Sequence, residues 1–402
     1  MGFRDKGYKY FKPLHKSVNM QFNLGNWTKA LKLYEKGSYK ESLLELLKYA
    51  DSKVKKYQTS ENVFRIPHGS VFLDLDFSGE NIKISSDFLD VSEANKVPLF
   101  RRIAELSFSG LNLTQIKLIE NKLIFDFSCP VELYDPYKIF DVLAEICYFA
   151  DKYDEEFCEQ FGAKNLSDAE ITQIPDSKKE KIWENFREII NSNFEIIKDL
   201  EERRKNNYAW DVISTTYKMI DYACAPKGSL ALRISEKVSE LYDREKTLDT
   251  IIFRGKEFLK EISEMPKEDF FKSIYEVKEF IPNKKVAGSE LISEYLKPGY
   301  SDAYQDLQSG NIESAYVIFM HILYNSMYYH IMPYGMEQAI VRLIKRHSNT
   351  VVNKGTVANL SNGIYEIINL QNIPSSHSGF FGFIWGMIVA AIGFILSSLF
   401  QG

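Results

Sequence analysis

The spacing of apolar residues changes period along the chain, and each change marks an element. Trp27, Ala30, Leu31 and Tyr34 precede Gly37-Ser38, and Leu43, Leu44, Leu46, Leu47 and Ala50 follow it, which predicts an αα-hairpin turning at the glycine. Period two then takes over. Val71, Leu73, Leu75 and Phe77 fall on one face, and Phe72, Asp74, Asp76 and Ser78 on the other. Ser78-Gly79-Glu80-Asn81 turns this strand into Ile82-Lys83-Ile84. Pro98 opens a short helix through Leu106, with Phe100, Ile103 and Ala104 inward. A second hairpin over residues 114–128 turns near Glu120-Asn121-Lys122 and aligns Leu123, Phe125 and Phe127. Asp135 as N-cap and Pro136 at the first helical position start a long helix striped by Ile139, Leu143, Ile146, Ala150, Tyr153 and Phe157.

This order, together with Val97-Pro98-Leu99-Phe100-Arg101-Arg102-Ile103-Ala104-Glu105-Leu106, the Lys122-Leu123-Ile124-Phe125 strand and Ala150-Asp151-Lys152-Tyr153, resembles the type III secretion chaperone-like, YbjN-type domain over residues 27–165. The resemblance implies an antiparallel sheet flanked by helices, used in binding and often in dimers, without catalytic residues.

After the polar stretch around Ser167, Asp168 and Pro175 the pattern becomes helical, over residues 178–206, 208–223, 229–264 and 267–280. Pro226-Lys227-Gly228, Pro266 and Pro282 punctuate it. Further helices are expected over 301–308 and 312–330 around Gly310, and over 334–347. Residues 348–379 read as a polar linker with room for one short helix. The last segment, residues 380–400, carries no charge, and at ~1.5 Å per residue it spans about 31 Å, the thickness of a bilayer core. The expected layout is α+β: a helix-flanked antiparallel sheet domain (1–165), an all-helical domain (166–347), a linker (348–379) and a single C-terminal transmembrane helix (380–400).

Arg342, Lys345, Arg346 and Lys354 against Glu366 put the basic excess on the N-terminal side of that helix, so the bulk of the chain is expected in the cytoplasm, at a cell inner membrane crossed once. The basic, aromatic N-terminus lacks the apolar run of a signal peptide, and Lys6 stands where a myristoylated Gly2 needs Ser or Thr. The chain has 402 residues, which favours more than one core, and a net charge of −5, which gives no global attraction to nucleic acid or acidic lipid. Cys129, Cys147, Cys158 and Cys224 have no CxxC spacing and read as reduced, mostly buried thiols.

No phosphate-binding glycine loop, HExxH, GxSxG or kinase set is present, so no enzyme class, catalytic residue or cofactor is expected. Asp74 and Asp76 share a strand face that could hold a hard cation, but they read better as its solvent side, and no metal is expected. His321 and His330, nine residues apart, fall on opposite helix faces and read as hydrogen-bonded interior or interface histidines. Tyr324, Tyr328, Tyr329 and Tyr334 read as packing. Two basic sets are the ligand-binding candidates: Arg203, Arg204 and Lys205 with Tyr208, and Arg342, Lys345 and Arg346 at helical spacing. Either can meet the phosphates of an oligonucleotide, with Tyr208 or Trp210 stacking. Otherwise the first is a solvated helix face and the second the basic flank of the anchor. Gly382, Gly386 and Ala390, and then Gly393 and Ser397, recur every four residues and suit close helix packing in a membrane.

The layout is similar to the membrane effectors of Hailong-type anti-phage systems. That similarity implies an oligomeric, ligand-gated ion-leak channel, a short oligodeoxyadenylate signal and a partner nucleotidyltransferase. The alternative is a tail-anchored adaptor or chaperone that holds a protein client at the membrane.

Overall fold

A computed structural model describes residues 6–15, 22–166 and 171–369. The chain is α+β, with an antiparallel sheet unit followed by helices. Helices α1 (Leu24–Glu35) and α2 (Tyr39–Ala50) form the hairpin, and Gly37 between them takes a left-handed φ of 74°. Seven strands follow: β1 (Gln58–Ser60), β2 (Val63–His68), β3 (Val71–Asp76), β4 (Asn81–Asp90), β5 (Gln115–Ile119), β6 (Lys122–Pro130) and β7 (Lys164–Asn165). Their order is β1-β2-β3-β4-β6-β5, all neighbours antiparallel, with β7 on the end of β4. Val71, Leu73, Leu75 and Phe77 are buried, whereas Asp74 pairs with Arg65 at 2.6 Å on the other face. Helix α3 (Lys96–Ser109) precedes β5. Helix α4 (Pro136–Phe161) is capped at one end by Asp135, which accepts from the Lys138 amide, and at the other by Gly162 at φ 72°. It buries the whole Ile139-to-Phe157 stripe against the sheet.

Two-residue strands β8 (Thr172–Gln173), β9 (Tyr275–Glu276), β10 (Lys285–Val286) and β11 (His330–Ile331) tie the helical unit together. Its helices are α5 (Asp176–Glu202), α6 (Ala209–Cys224), α7 (Gly228–Glu240), α8 (Leu248–Ser263), α9 (Lys267–Lys272), α10 (Ser289–Gln308), α11 (Ile312–Tyr329), α12 (Tyr334–Arg346) and α13 (Lys354–Asn369). Helix α6 is buried almost all round between α5, α8 and α11.

Several boundaries differ from the sequence expectation. The long helix over 229–264 is broken between α7 and α8, where the Thr247 side chain accepts from the Thr250 amide and starts a new helix. After α9 the chain becomes extended, and Phe280 and Ile281 enter the sheet core. Helix α10 begins twelve residues earlier than its expected start and runs through Pro298-Gly299. A Cβ on Gly299 would stand 2.5 Å from Ile322 Cγ2, so the glycine is what lets α10 lie close on α11. Within the stretch expected as linker, α13 packs on α10, α11 and α12 with Val357, Leu360 and Ile364 fully buried.

Residues 6–15 belong to the helical core. Tyr8 and Phe11 are buried there, the Tyr8 amide donates to the Tyr316 hydroxyl at 3.0 Å, and the Asn349 amide donates to the Tyr8 carbonyl at 2.9 Å. Gly7, at φ 55°, would bring a Cβ within 2.6 Å of that hydroxyl. The two cores therefore exchange segments: residues 6–15 go one way, and Phe280-Ile281 the other.

Their junction is polar. The Phe280 amide donates to His68 Nδ1 at 2.9 Å, His68 Nε2 donates to the Cys147 carbonyl at 3.1 Å, and the Gly69 amide donates to the Lys278 carbonyl at 2.8 Å. The Glu155 carboxylate accepts from the Ser229 amide at 2.5 Å and from the Tyr275 hydroxyl at 3.0 Å, stabilising the start of α7. Lys227 pairs with Glu279 beside it.

Among the described residues, no helix is long and apolar enough to cross a membrane. Residues 380–400, with Gly382, Gly386, Ala390, Gly393 and Ser397, lie outside the described residues, as do Gly2 and residues 167–170.

Candidate functional site: a buried Asp-His-Ser-Lys cluster in the helical unit

The first basic set is occupied by acids. Arg203 Nη1 lies 3.1 Å from Glu313 Oε1 and its Nη2 lies 2.9 Å from Asp199 Oδ1, while Lys205 Nζ reaches Glu313 Oε2 at 3.3 Å. The Glu313 side chain is only 4% exposed, and its two cations close the space above it. Tyr208 donates to Asp306 at 3.2 Å, and Arg204, at φ 58°, makes the turn between α5 and α6. An anion arriving here would have to displace carboxylates.

The second set is open. Arg342, Lys345 and Arg346 are exposed on α12, with Lys345 above the Tyr10 ring at 5.1 Å. Among the described residues no acid pairs with any of the three, and no hydrogen bond joins them to the first set.

A third constellation lies inside the bundle. Asp211, Ser214 and Lys218 stand at i, i+3 and i+7 on α6, so one face of that helix presents all three to α11. His321 on α11 answers them. Its Nδ1 is 3.1 Å from Asp211 Oδ1, its Nε2 is 3.1 Å from Ser214 Oγ, and Lys218 Nζ lies 2.5 Å from that Oγ and 3.2 Å from that Nε2. The carboxylate assigns the ring proton to Nδ1 and leaves Nε2 as an acceptor. Ser214 is fully buried and Lys218 is 1% exposed.

Aromatic rings wall the cluster. Trp210 meets the His321 ring edge-on at 5.1 Å, and Tyr242 and Tyr329 each hold Lys218 Nζ 5.8 Å from their centroids. Tyr242 lies in the α7–α8 connection and is 47% exposed, with its hydroxyl within reach of Ser214, so a side chain of a surface loop covers the cluster. Burial lowers the Lys218 ammonium to about 7, with Asp211 opposing. It also lowers His321, against the hydrogen bond that His321 donates to Asp211. The cluster thus holds a neutral imidazole and an amine that titrates near neutrality.

Reading the sequence by motif missed Asp211, Ser214 and Lys218, although a signal was there. A lysine between Tyr217 and Met219, in a helix whose sequence is mostly apolar, has little solvated face to occupy. His321 was legible as an interior residue, and His330 is one too, its Nδ1 donating to the Ser326 carbonyl at 3.1 Å.

The described residues contain no group of three His, Cys, Asp or Glu placed to hold a metal ion. Neither a protein-family model nor a curated protein matches the chain.

Proposed function

We propose that this chain is an oligomeric, ligand-gated membrane effector, in which a cytosolic body controls a bundle of C-terminal helices that leaks ions. The observation that carries the reading is α13. It is clamped by Val357, Leu360 and Ile364 into the same core as α10, α11 and α12, and the charge-free sequence begins at Ile367 in its last turn. A passive tether works best through a loose linker. A gate needs a stiff one, because force on residues 380–400 must come from rearrangement of the body. The exposed Arg342, Lys345 and Arg346 on α12, beside α13, are the entry point for an anionic signal such as a short oligonucleotide made by a partner nucleotidyltransferase. This is the arrangement the Hailong-type resemblance implies, and on this reading the chain acts in anti-phage defence.

The test is depolarisation of cells expressing the full chain, with and without short oligodeoxyadenylates, against a chain ending at Asn369 and a Gly386→Leu/Ala390→Leu variant. The full chain should depolarise only with ligand, and both alterations should abolish the response. Failure of the full chain to depolarise under any ligand condition sinks the proposal.

One observation favours the adaptor reading: Val97 (73% exposed) and Phe108 (97%) on α3, and Leu118 (50%) and Ile119 (52%) on edge strand β5, are large apolar side chains left exposed, of the kind a protein client covers. In that case the full chain binds a client without depolarising the cell.

A further inference from the structure

We propose that Asp211, His321, Ser214 and Lys218 form a hydrolytic site for a small carboxylic ester, with Ser214 as nucleophile and the Tyr242 loop as its cover. This activity is separate from the gating proposed above and does not depend on it.

Each role follows from a contact. A serine hydroxyl becomes a useful nucleophile when a base takes its proton as it attacks. His321 Nε2, 3.1 Å from Ser214 Oγ and free of a proton, is that base. Asp211, 3.1 Å from Nδ1, is a positioning residue that holds the tautomer and stabilises the imidazolium. A tetrahedral intermediate also needs a positive group beside its oxyanion. Lys218 Nζ, 2.5 Å from the attacking oxygen, is within reach of any atom bonded to the carbon that oxygen attacks. The four groups satisfy the mutual geometry of an acyl-transfer site: nucleophile to base, base to orienter, and a cation at the developing charge.

Ser214 Oγ bonds to the ester carbonyl carbon as its proton passes to His321, and the oxyanion forms against Lys218. Collapse breaks the bond to the alcohol oxygen, which takes the proton back from His321 and leaves as the free alcohol. Water, deprotonated by the same imidazole, then attacks the acyl-serine. This releases the carboxylic acid and returns the proton to Ser214. No oxidant, reductant or metal is required.

Access sets the substrate class. Tyr242 reaches the serine itself, while Trp210 and Tyr329 wall its neighbours His321 and Lys218, so the acyl or alcohol part must be small, and flat or apolar. Tyr242, half-exposed on the α7–α8 connection and edge-on to Trp210 at 5.4 Å, is the element that must move aside, giving up its contacts with Lys218 and Ser214.

The experiment treats the full chain in lipid or detergent with a fluorophosphonate probe, which reacts only with activated serines, and locates the adduct by mass spectrometry. Wild type should be labelled at Ser214. Ser214→Ala, nearly isosteric, should lose the adduct completely, His321→Asn should react about a hundredfold more slowly, and Tyr242→Ala should react faster. The rate on wild type should rise through the lowered titration of His321 and fall above about pH 7 as Lys218 loses its proton. Asp211→Asn should slow labelling and move the rising limb to lower pH, which a purely packing residue would not do. An unlabelled Ser214 in both wild type and Tyr242→Ala, or an adduct on another serine alone, overturns the site. A rate independent of pH between 5 and 9 overturns the roles of His321 and Lys218.

Discussion

Asp154 offers the sharpest stability test, because it is a buried carboxyl at the junction of the two cores. It is 4% exposed on α4 and accepts from the Glu155 amide at 2.7 Å. Asp151 and Glu155 face it from its own helix, the Ser70 hydroxyl from the β2–β3 turn, and Glu279, Lys227, Tyr275 and His68 line the same junction. Burial pushes its carboxyl up to about 7 from an ordinary 3.8, with Ser70 opposing and Asp151 reinforcing. Because the value is raised, the folded chain keeps a proton that the unfolded chain gives up. The associated stability is fully present below pH 3.8 and is lost as pH rises to about 7. At ~1.4 kcal/mol for each tenfold change in the proton equilibrium, the whole interval amounts to about 4 kcal/mol. Asp154→Asn keeps the shape and cannot ionise. Its stability relative to wild type, from urea unfolding followed by tryptophan fluorescence, should therefore improve by about 2–3 kcal/mol between pH 5 and pH 8. Taking the difference cancels the junction's other titrations, including His68, whose lowered value acts in the opposite direction. A difference that stays constant across that range refutes the argument.

Two further substitutions probe how the cores are joined. Phe280→Ala removes a fully buried ring that the helical unit inserts into the sheet core, and should cost about 3–5 kcal/mol in urea unfolding; a loss below about 1 kcal/mol would mean the ring is not wedged there. Glu313→Gln removes the carboxylate between Arg203 and Lys205 and should destabilise by about 1–3 kcal/mol, with a smaller loss in high salt because both cations are partly exposed. Equal losses at low and high salt would locate the effect in packing rather than charge.

The elements of the sheet unit were legible because their signals are local: the alternation from Val71 to Phe77, the Asp135-Pro136 start and the Ile139-to-Phe157 stripe each declare themselves within a dozen or so residues. What could not be read was anything that depends on a partner distant in sequence. Phe280 follows a charged amphipathic pattern and looks like the end of a helix; contacts distant in sequence, among them His68 accepting from its amide and the Gly69 amide donating to the Lys278 carbonyl, hold it out of one. Residues 6–15 read as a basic, aromatic terminus with no element of its own, but Tyr8 and Phe11 are buried in the helical core, Tyr8 stacked on Tyr316 of α11. The same limit applied to the site. Arg203 and Lys205 read as cations open to a ligand because Glu313 is about a hundred residues away, and Ser214 gave no signal because its base is on α11.

Glu313 and Lys218, both buried in the helical unit, differ in kind, and the difference bears on function. Glu313 is balanced by two cations that reach solvent, so its burial costs little beyond what the clamp returns. Among the described residues Lys218 has no carboxylate in contact; Asp211 reaches it through the His321 ring, and its other contacts are a hydroxyl and aromatic faces. Burying an ammonium on those terms costs several kcal/mol, and a methionine of similar length would fill the space without that cost. Stability therefore gives no reason for a lysine at this position. A chemical task does, and such a task requires the partners present here: a hydroxyl, an imidazole free to accept a proton, and a cover that can open.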